Sequence, residues 1–281
     1  MNKKGGKERV TINIDSDILK TIDNTIDGQK IRNRRHAIEN LARKAMQTNE
    51  LSTAFVLAGG KGTRLKPLTD NTPKPMIEVK GKPILEYVVE LLSKYKIKNL
   101  ILSLGYRAEK IQEYFGDGEK YGINIEYVIE KKPLGTGGPL RLARNLLVEE
   151  FLMFNGDNLT NINLNDMYSF HKKNKAYATI ALSPVKDPKN FGVVEVEGNE
   201  IKRFVEKPAQ PKSNLINSGT YILKPEVIDM IPKGFSLIEK DVFPHLSEEG
   251  KLFGYVYNGQ WFPTDTIQRY ELAKKEWKGI I

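Results

Sequence analysis

The sequence predicts an α/β protein whose main sheet is mixed and mostly parallel, preceded by a small separate unit. Beyond residue 52, apolar runs of strand length alternate with amphipathic segments of helix length. At 281 residues with 40% apolar side chains, the chain is long enough for one large core and a second small unit. We therefore expect two domains, at residues 1–48 and 52–281, joined by a short polar linker.

Residues 1–50 have their own pattern and a local excess of positive charge, with 11 Lys or Arg against 7 Asp or Glu. Apolar and polar side chains alternate over residues 9–15, which predicts a half-buried strand. A capped helix with an apolar stripe follows, and a second helix begins near Asn33. One strand and two short helices bury too little surface to close a core, so we expect this unit to dimerise.

In the larger unit, strands and helices alternate in order. The predicted strands cover residues 53–57, 99–104, 123–129 and 151–154, and the predicted helices cover 84–94, 109–115 and 139–147. After residue 178 the strands become hairpin-like, with Gly198-Asn199 as a turn. Because ligands lie at the carboxyl ends of parallel strands, we expect the loop after residue 57 and Asp157 to converge.

The loop after the first of these strands combines backbone flexibility with fixed positive charge. Gly59, Gly60 and Gly62 let backbone N–H groups approach an anion closely. Arg64 and Lys74 add a bidentate fork and a mobile point charge, which suit different oxygens of one triphosphate. The loop is neither a Walker loop nor a dinucleotide fingerprint, because the required Gly-Lys-Ser/Thr and third glycine are missing. The plainer alternative is a glycine-rich surface turn beside solvated lysines.

Residues 59–76, GGKGTRLKPLTDNTPKPM, resemble the signature of the sugar-1-phosphate nucleotidylyltransferases. Further segments resemble that family in order and spacing, at residues 134–140, 155–157, 191–194, 204–208, 216–223 and 236–244. The resemblance covers about residues 52–281 and implies the Rossmann-like fold of the nucleotide-diphospho-sugar transferases. The implied reaction is attack by a sugar-1-phosphate oxygen on the α-phosphorus of a nucleoside triphosphate, giving a nucleoside diphosphate sugar and pyrophosphate.

The resemblance also implies roles for individual residues. Arg64 matches the residue that holds the leaving β- and γ-phosphates, Lys74 the one that touches the α-phosphate, and Lys207 the anchor of the sugar phosphate. The implied nucleotide-binding positions are Leu57, Gly59, Gly60, Gly62, Thr63, Glu130 and Gly135, and the implied sugar-binding positions are Gly192, Glu206 and Asn217. As plainer alternatives, Glu130 is a solvated strand end, and Gly135 and Gly138 serve only the turn.

Mg²⁺ is the cofactor that the resemblance implies. Asp157, after Asn155 and Gly156, matches the first metal-binding aspartate of the family. Many members place the second two residues after a tryptophan, where this chain has Pro263. Asp265 instead fits the pattern W-x-x-x-D-T, which resembles the cytidylyltransferase branch, so we expect it to be the second ligand; the alternative is a solvated residue before the final helix.

The N-terminal unit resembles the ribbon-helix-helix family, in which two strands pair as an antiparallel ribbon that enters the DNA major groove. By position, Arg9, Thr11 and Asn13 match the base-reading side chains, and Asn33 matches the phosphate anchor. The implied partner is double-stranded DNA and the implied assembly is a homodimer. The alternative is a dimerisation module that reads no DNA.

The motifs resemble mannose-1-phosphate guanylyltransferases more than thymidylyltransferases, so GTP and mannose 1-phosphate are the expected substrates. UTP or dTTP with glucose 1-phosphate is the alternative. A rival function is a DNA-binding regulator that senses a nucleotide or sugar phosphate without turnover; a glycosyltransferase is weaker, because residues 52–281 lack an Asp-x-Asp motif. With no cysteine and no apolar segment near residue 1, we expect a cytoplasmic enzyme.

Overall fold

The chain divides into two units, Met1–Glu50 and Leu51–Ile281. The computed structural model describes residues 13–26, 34, 35, 37, 38 and 51–280. In the first unit, helix α1 (Ser16–Asp23) begins at the predicted cap, because an Asp15 carboxylate oxygen accepts a hydrogen bond from the Asp17 N–H (2.9 Å).

The predicted N-terminal strand lies largely outside the described residues. Its last part, residues 13–15, is described and has no regular secondary structure, so the strand does not extend to Asp15 as predicted. The Asp15 side chain caps α1 instead, which ends any extended segment there. Asn13 is exposed, whereas Arg9, Thr11 and Asn33 lie outside the described residues. Positions 34, 35, 37 and 38 are helical.

The strands and helices of the second unit alternate along residues 51–280. The strands are β1 (Thr53–Leu57), β2 (Glu78–Val79), β3 (Lys82–Pro83), β4 (Asn99–Leu104), β5 (Asn124–Ile129), β6 (Phe151–Asn155), β7 (Asn158–Thr160), β8 (Ala178–Pro184), β9 (Gly192–Glu197), β10 (Glu200–Glu206), β11 (Leu215–Leu223), β12 (Leu252–Val256) and β13 (Trp261–Pro263). The helices are α2 (Ile84–Lys94), α3 (Ala108–Phe115), α4 (Gly138–Leu142), α5 (Leu164–Lys173), α6 (Glu226–Asp229), α7 (Ile238–Asp241), α8 (Phe243–Glu248) and α9 (Ile267–Glu276). Short 3-10 turns cover Thr63–Leu65, Lys74–Met76 and Glu119–Tyr121.

Within residues 51–280, nine strands form one sheet in the order β5-β4-β1-β6-β11-β8-β12-β10-β9. β5, β4, β1 and β6 are parallel neighbours, and β8 and β12 are also parallel. β11 runs antiparallel to both β6 and β8, and β9 and β10 form the predicted hairpin, with Gly198 at its turn (φ +59°). The predicted mixed α/β fold is confirmed. Most of the parallel pairing lies in β5, β4, β1 and β6.

The helix predicted over residues 139–147 is shorter in the structure, because α4 ends at Leu142. The Ala143 carbonyl accepts hydrogen bonds from the N–H groups of Leu146 (2.8 Å) and Leu147 (3.2 Å), so the chain tightens into turns. Ala143 and Leu147 are buried, whereas Leu142 is 52% exposed. The predicted helix therefore begins close to the observed one, and its predicted length is wrong.

The central strands are buried on both faces, as expected for parallel strands covered by helices. In β6, Leu152 and Phe154 belong to one apolar cluster, and Phe151 and Met153 belong to the cluster on the opposite face. This packing fixes the carboxyl ends of β1 and β6, where the site is built. None of the helices in the described ranges has the length and apolar character needed to cross a bilayer.

Candidate active site

The carboxyl ends of β1 and β6 open into a cleft with two adjoining parts. The first, with a volume of about 380 Å³, lies between the glycine loop, the end of β5 and residues 133–136 and 235–237; we call it the loop half. The second, of about 160 Å³, is lined by residues at the ends of β9, β10 and β11; we call it the strand half. Asn155 and Asp157 line both, so they form the junction.

Lys74 and Asp157 form the first ion pair of the junction. Lys74 opens the turn Lys74–Met76 and is buried, with its Nζ donating a hydrogen bond to Asp157 Oδ2. The Asp157 carbonyl in turn accepts hydrogen bonds from the N–H (3.2 Å) and Oγ1 (2.8 Å) of Thr264. A buried ammonium needs a charge partner, and this carboxylate supplies it. The structure thus brings the glycine loop and Asp157 together, as expected from the parallel strands.

Asp265 forms the second set of ion pairs. Its Oδ1 accepts a hydrogen bond from Arg269 Nη1 (2.8 Å), and its Oδ2 lies 2.9 Å from Arg64 Nη1. Burial raises the pKa of Asp265, but the hydrogen bond and charge of Arg269, with the charges of Arg64 and Lys74, outweigh burial and lower this pKa overall. With its side chain only 16% exposed, Asp265 is a paired carboxylate and not a solvated loop residue.

Asp265 reaches the strand half because β13 pairs antiparallel with β7, and Pro263 lies opposite Asn158. Among the described residues, no group of three or more His, Asp or Glu could hold a metal ion. The strand half does offer the two carboxylates Asp157 and Asp265 and the buried Asn155 Oδ1, which has no hydrogen-bond partner. These hard oxygen donors fit Mg²⁺, which takes one or two carboxylates and completes its shell with water and phosphate oxygens.

The glycines of the loop serve different purposes. A Cβ at Gly59 would lie 2.7 Å from Glu130 Oε1, and a Cβ at Gly62 would lie 2.9 Å from Lys74 Cβ. Gly62 also has φ +63°, a conformation that favours glycine. A Cβ at Gly60 would meet no atom within 4 Å, although Gly60 lines the loop half. Gly62 and the exposed Thr63 lie outside the lining of either half.

Glu130 follows β5 and forms part of the wall of the loop half, together with Leu57. Its Oε1 accepts a hydrogen bond from Ser103 Oγ (2.9 Å), and its Oε2 accepts one from the Leu134 N–H (3.2 Å). Burial raises the pKa of Glu130, and the two hydrogen bonds lower it by less, so the pKa is raised overall. The carboxylate is therefore anchored in the wall, which argues against a solvated strand end.

Gly135 and Gly138 pack against the backbone of residues 234–236, which leaves no room for a side chain. Gly135 has φ +79°, and a Cβ there would lie 2.2 Å from the Ser236 carbonyl oxygen. A Cβ at Gly138 would lie 2.5 Å from the Gly234 carbonyl oxygen. Both glycines therefore meet a packing requirement, and Gly135 also lines the loop half.

The strand half brings together the three residues expected at the sugar and Lys207, which is expected at its phosphate. A Cβ at Gly192 would lie 2.5 Å from Phe204 Cζ and 3.0 Å from Glu206 Oε2, so this glycine leaves room for the ring and the carboxylate. Glu206 Oε1 lies 3.2 Å from Lys207 Nζ, and the Lys207 side chain is exposed. Asn217 Oδ1 accepts a hydrogen bond from the Gly219 N–H (2.9 Å). Arg64 lines this half as well.

A buried hydrogen-bond network behind the junction was not predicted. Glu239 accepts hydrogen bonds from Thr136 Oγ1 and from Tyr221 Oη (3.5 Å), and Tyr221 Oη accepts one from Asn217 Nδ2 (2.9 Å). Burial raises the pKa of both Glu239 and Tyr221. Thr136 lines the loop half and Glu239 the strand half, so the network links the two. The available signal was the charged run Glu239-Lys240-Asp241 between the apolar pairs Leu237-Ile238 and Val242-Phe243.

The sequence of residues 53–278 matches the nucleotidyl transferase family. The chain is 43% identical over 214 residues to mannose-1-phosphate guanyltransferase beta-B of Xenopus laevis, covering 74% of this chain and 59% of that protein. It is 40% identical over 221 residues to mannose-1-phosphate guanylyltransferase of Mycobacterium tuberculosis, covering 77% of this chain and 61% of that protein. The chain thus spans about three fifths of the length of these relatives.

Solved structures share the fold. HddC from Yersinia pseudotuberculosis superposes with a TM-score of 0.70 at 28% identity, covering 81% of this chain and 100% of that chain. A UDP-glucose pyrophosphorylase complexed with UDP-glucose superposes with a TM-score of 0.71 at 23% identity, covering 81% of this chain and 98% of that chain. The second likeness shows the fold alone.

Proposed function

We propose that this chain, which belongs to the nucleotidyl transferase family, is a sugar-1-phosphate nucleotidylyltransferase acting on GTP and mannose 1-phosphate. The observation that carries the proposal is the Lys74–Asp157 pair at the junction, together with the Arg64–Asp265 pair that lines the strand half beside Asp157. The relatives named mannose-1-phosphate guanylyltransferase support this pair of substrates.

In the proposed reaction, the nucleoside triphosphate lies in the loop half and the sugar 1-phosphate in the strand half. An oxygen of the sugar phosphate attacks the α-phosphorus, the bond from this phosphorus to the α–β bridging oxygen breaks, and pyrophosphate leaves. Both reactants are anions, so alignment and neutralisation of charge provide most of the catalysis. Lys74 acts at the α-phosphate, Arg64 at the leaving phosphates and Lys207 at the sugar phosphate.

Asp157 and Asp265 would hold a divalent cation, for which we propose Mg²⁺. When bound, the cation neutralises charge on the phosphate oxygens. The same carboxylates position Lys74 and Arg64 beside the reacting groups. Gly60 is the proposed point of closest backbone approach to the phosphates, because a Cβ there meets open space. Glu206 and Asn217 are the proposed partners of the sugar hydroxyls.

A substrate panel tests the proposed function. Five nucleoside triphosphates (ATP, GTP, CTP, UTP and dTTP) are each paired with mannose 1-phosphate and glucose 1-phosphate, and pyrophosphate release is measured. We expect the highest kcat/KM for GTP with mannose 1-phosphate. A higher value for UTP or dTTP with glucose 1-phosphate would reassign the substrates. No release with any pair, with nucleotide binding retained, would instead support the regulator that senses without turnover.

For residues 1–48 we propose a ribbon-helix-helix dimer that binds double-stranded DNA. The local excess of 11 basic over 7 acidic residues in residues 1–50 supports an anionic partner. Ile18, on the apolar stripe of the capped helix α1, is 57% exposed, which supports burial against a second copy. Arg9, Thr11 and Asn13 would contact bases, and Asn33 a phosphate.

Selection from random DNA duplexes at about 100 mM salt tests this second proposal. We expect one enriched site, and we expect it to be lost when Arg9, Thr11 and Asn13 are all replaced by alanine. The alanine variant should remain a dimer by sedimentation, and a chain lacking residues 1–50 should keep its transferase activity. No enriched site would leave only the dimerisation role, and a monomeric full chain would contradict the ribbon-helix-helix assignment.

A further inference from the structure

Phe235 is a large apolar side chain that is 63% exposed at the mouth of the loop half. The residues that follow it turn inward, since Ser236 and Ile238 are buried and Leu237 lines the cleft. An aromatic ring gains free energy when it leaves water. An exposed ring at the edge of a cavity is therefore a surface that a ligand in that cavity can cover.

The backbone beneath Phe235 is fixed. The Ser236 N–H donates a hydrogen bond to the Leu134 carbonyl (3.0 Å), and the Ser236 carbonyl accepts one from the Gly137 N–H (2.9 Å). Ser236 Oγ donates another to Asp241 Oδ2 (2.6 Å). The ring therefore projects from an anchored segment, and placing it over a ligand requires side-chain rotation alone.

Another part of the loop half suits a flat ring system. It combines the backbone of Gly59 and Gly60 with the apolar side chain of Leu57 and the anchored carboxylate of Glu130. A volume of about 380 Å³ lies in the range of sites for small molecules and cofactors. Phe235 lines the same cavity, so a base placed against these residues shares the loop half with the exposed ring.

We propose that Phe235 stacks on the base of the bound nucleotide and closes the loop half over it. The identity of the ligand as a nucleoside triphosphate rests on the proposed function. Stacking uses the π-face that every base has, so Phe235 contributes affinity for the base and none for the triphosphate. The hydrogen-bonding groups of the wall remain responsible for the choice between bases.

Calorimetric titration of the full chain separates the base from the phosphates. GTP and inorganic tripolyphosphate are the two probes, applied to the wild type and to Phe235→Ala, Phe235→Leu and Phe235→Tyr. We expect Phe235→Ala to weaken GTP binding roughly tenfold and to leave tripolyphosphate binding unchanged. Phe235→Tyr keeps the ring and should bind GTP within about twofold of the wild type, with Phe235→Leu between the two.

The control is Leu142→Ala, which removes another exposed apolar side chain outside the cleft and should change neither affinity. Unchanged GTP binding in Phe235→Ala overturns the inference, as does an equal loss for GTP and tripolyphosphate. Thermal unfolding of each variant shows whether the fold is retained, and Phe235→Leu, which also removes the ring, gives the comparison with Phe235→Tyr if the alanine variant does not fold. Phe235→Ala could weaken GTP binding as expected while the wild type releases no pyrophosphate. That outcome would refute the proposed reaction and leave the stacking in place.

Discussion

The two halves of the cleft are lined by different kinds of atoms. The loop half lies on the parallel strands, and its shape depends on missing side chains, since a Cβ at Gly59 or Gly135 would overlap Glu130 or Ser236. The strand half lies on antiparallel strands, and its lining includes the charged and amide side chains of Glu206 and Asn217. The lining of the loop half is mainly apolar and that of the strand half mainly polar, so substitutions in the two halves should have different effects.

The largest effect is expected at the junction, where neither half can compensate. Lys74→Ala and Asp157→Asn should each lower kcat by about 100-fold or more, because each removes a charge beside the α-phosphate. Steady-state pyrophosphate release measures this loss. Lys202→Ala, which breaks a surface ion pair with Glu200 (2.6 Å), is the control and should keep its activity. A junction variant that keeps more than about a tenth of wild-type kcat would contradict the assigned role.

The next effect tests the steric character of the loop half. Gly135→Ala and Gly122→Ala both place alanine at positive φ, +79° and +70°, but only the first Cβ meets another atom. We expect Gly122→Ala to cost about 1 kcal/mol and Gly135→Ala about 2–3 kcal/mol of unfolding free energy, the difference being overlap with the Ser236 carbonyl. Urea denaturation measures both values. Equal costs would mean that backbone conformation alone explains this glycine.

A substitution in the strand half should change the affinity for the sugar 1-phosphate. Glu206→Gln keeps the size of the side chain and removes its charge, so we expect the KM for mannose 1-phosphate to rise roughly tenfold while the KM for GTP stays the same. Initial rates with one substrate varied at a time give both constants. Glu195→Gln, on the neighbouring strand and paired with Arg203 (3.6 Å), is the matched control. A parallel rise in both KM values would show that the halves do not act separately.

The sequence predicted the strands that carry the cleft, but not the contacts between distant residues, for a physical reason. Apolar runs bounded by turns placed β1 and β4 at their observed residues, and the glycine spacing marked the loop. The Lys74–Asp157 pair joins residues 83 positions apart, so local pattern carries no information about it. Glu239 was missed because its burial depends on how β11 and α7 pack, and α4 was overextended because its periodicity continued past the last helical hydrogen bond.

The smallest effect concerns the pH dependence of Asp265. Its pKa is lowered below the ordinary 3.8, so the carboxylate contributes stability that is present above pH 3.8 and is lost as the pH falls through the lower folded value. Arg269→Gln removes the hydrogen bond that lowers this pKa most, so protonation should begin at a higher pH. We expect the acid limb of both the activity profile and the unfolding free energy to move upward in pH. Lys274→Gln, on the same helix and paired with Glu271 (3.2 Å), should leave both limbs in place. An acid limb that does not move in Arg269→Gln would mean that Arg64 and Lys74 alone keep Asp265 ionised, and that the junction holds its charge without support from α9.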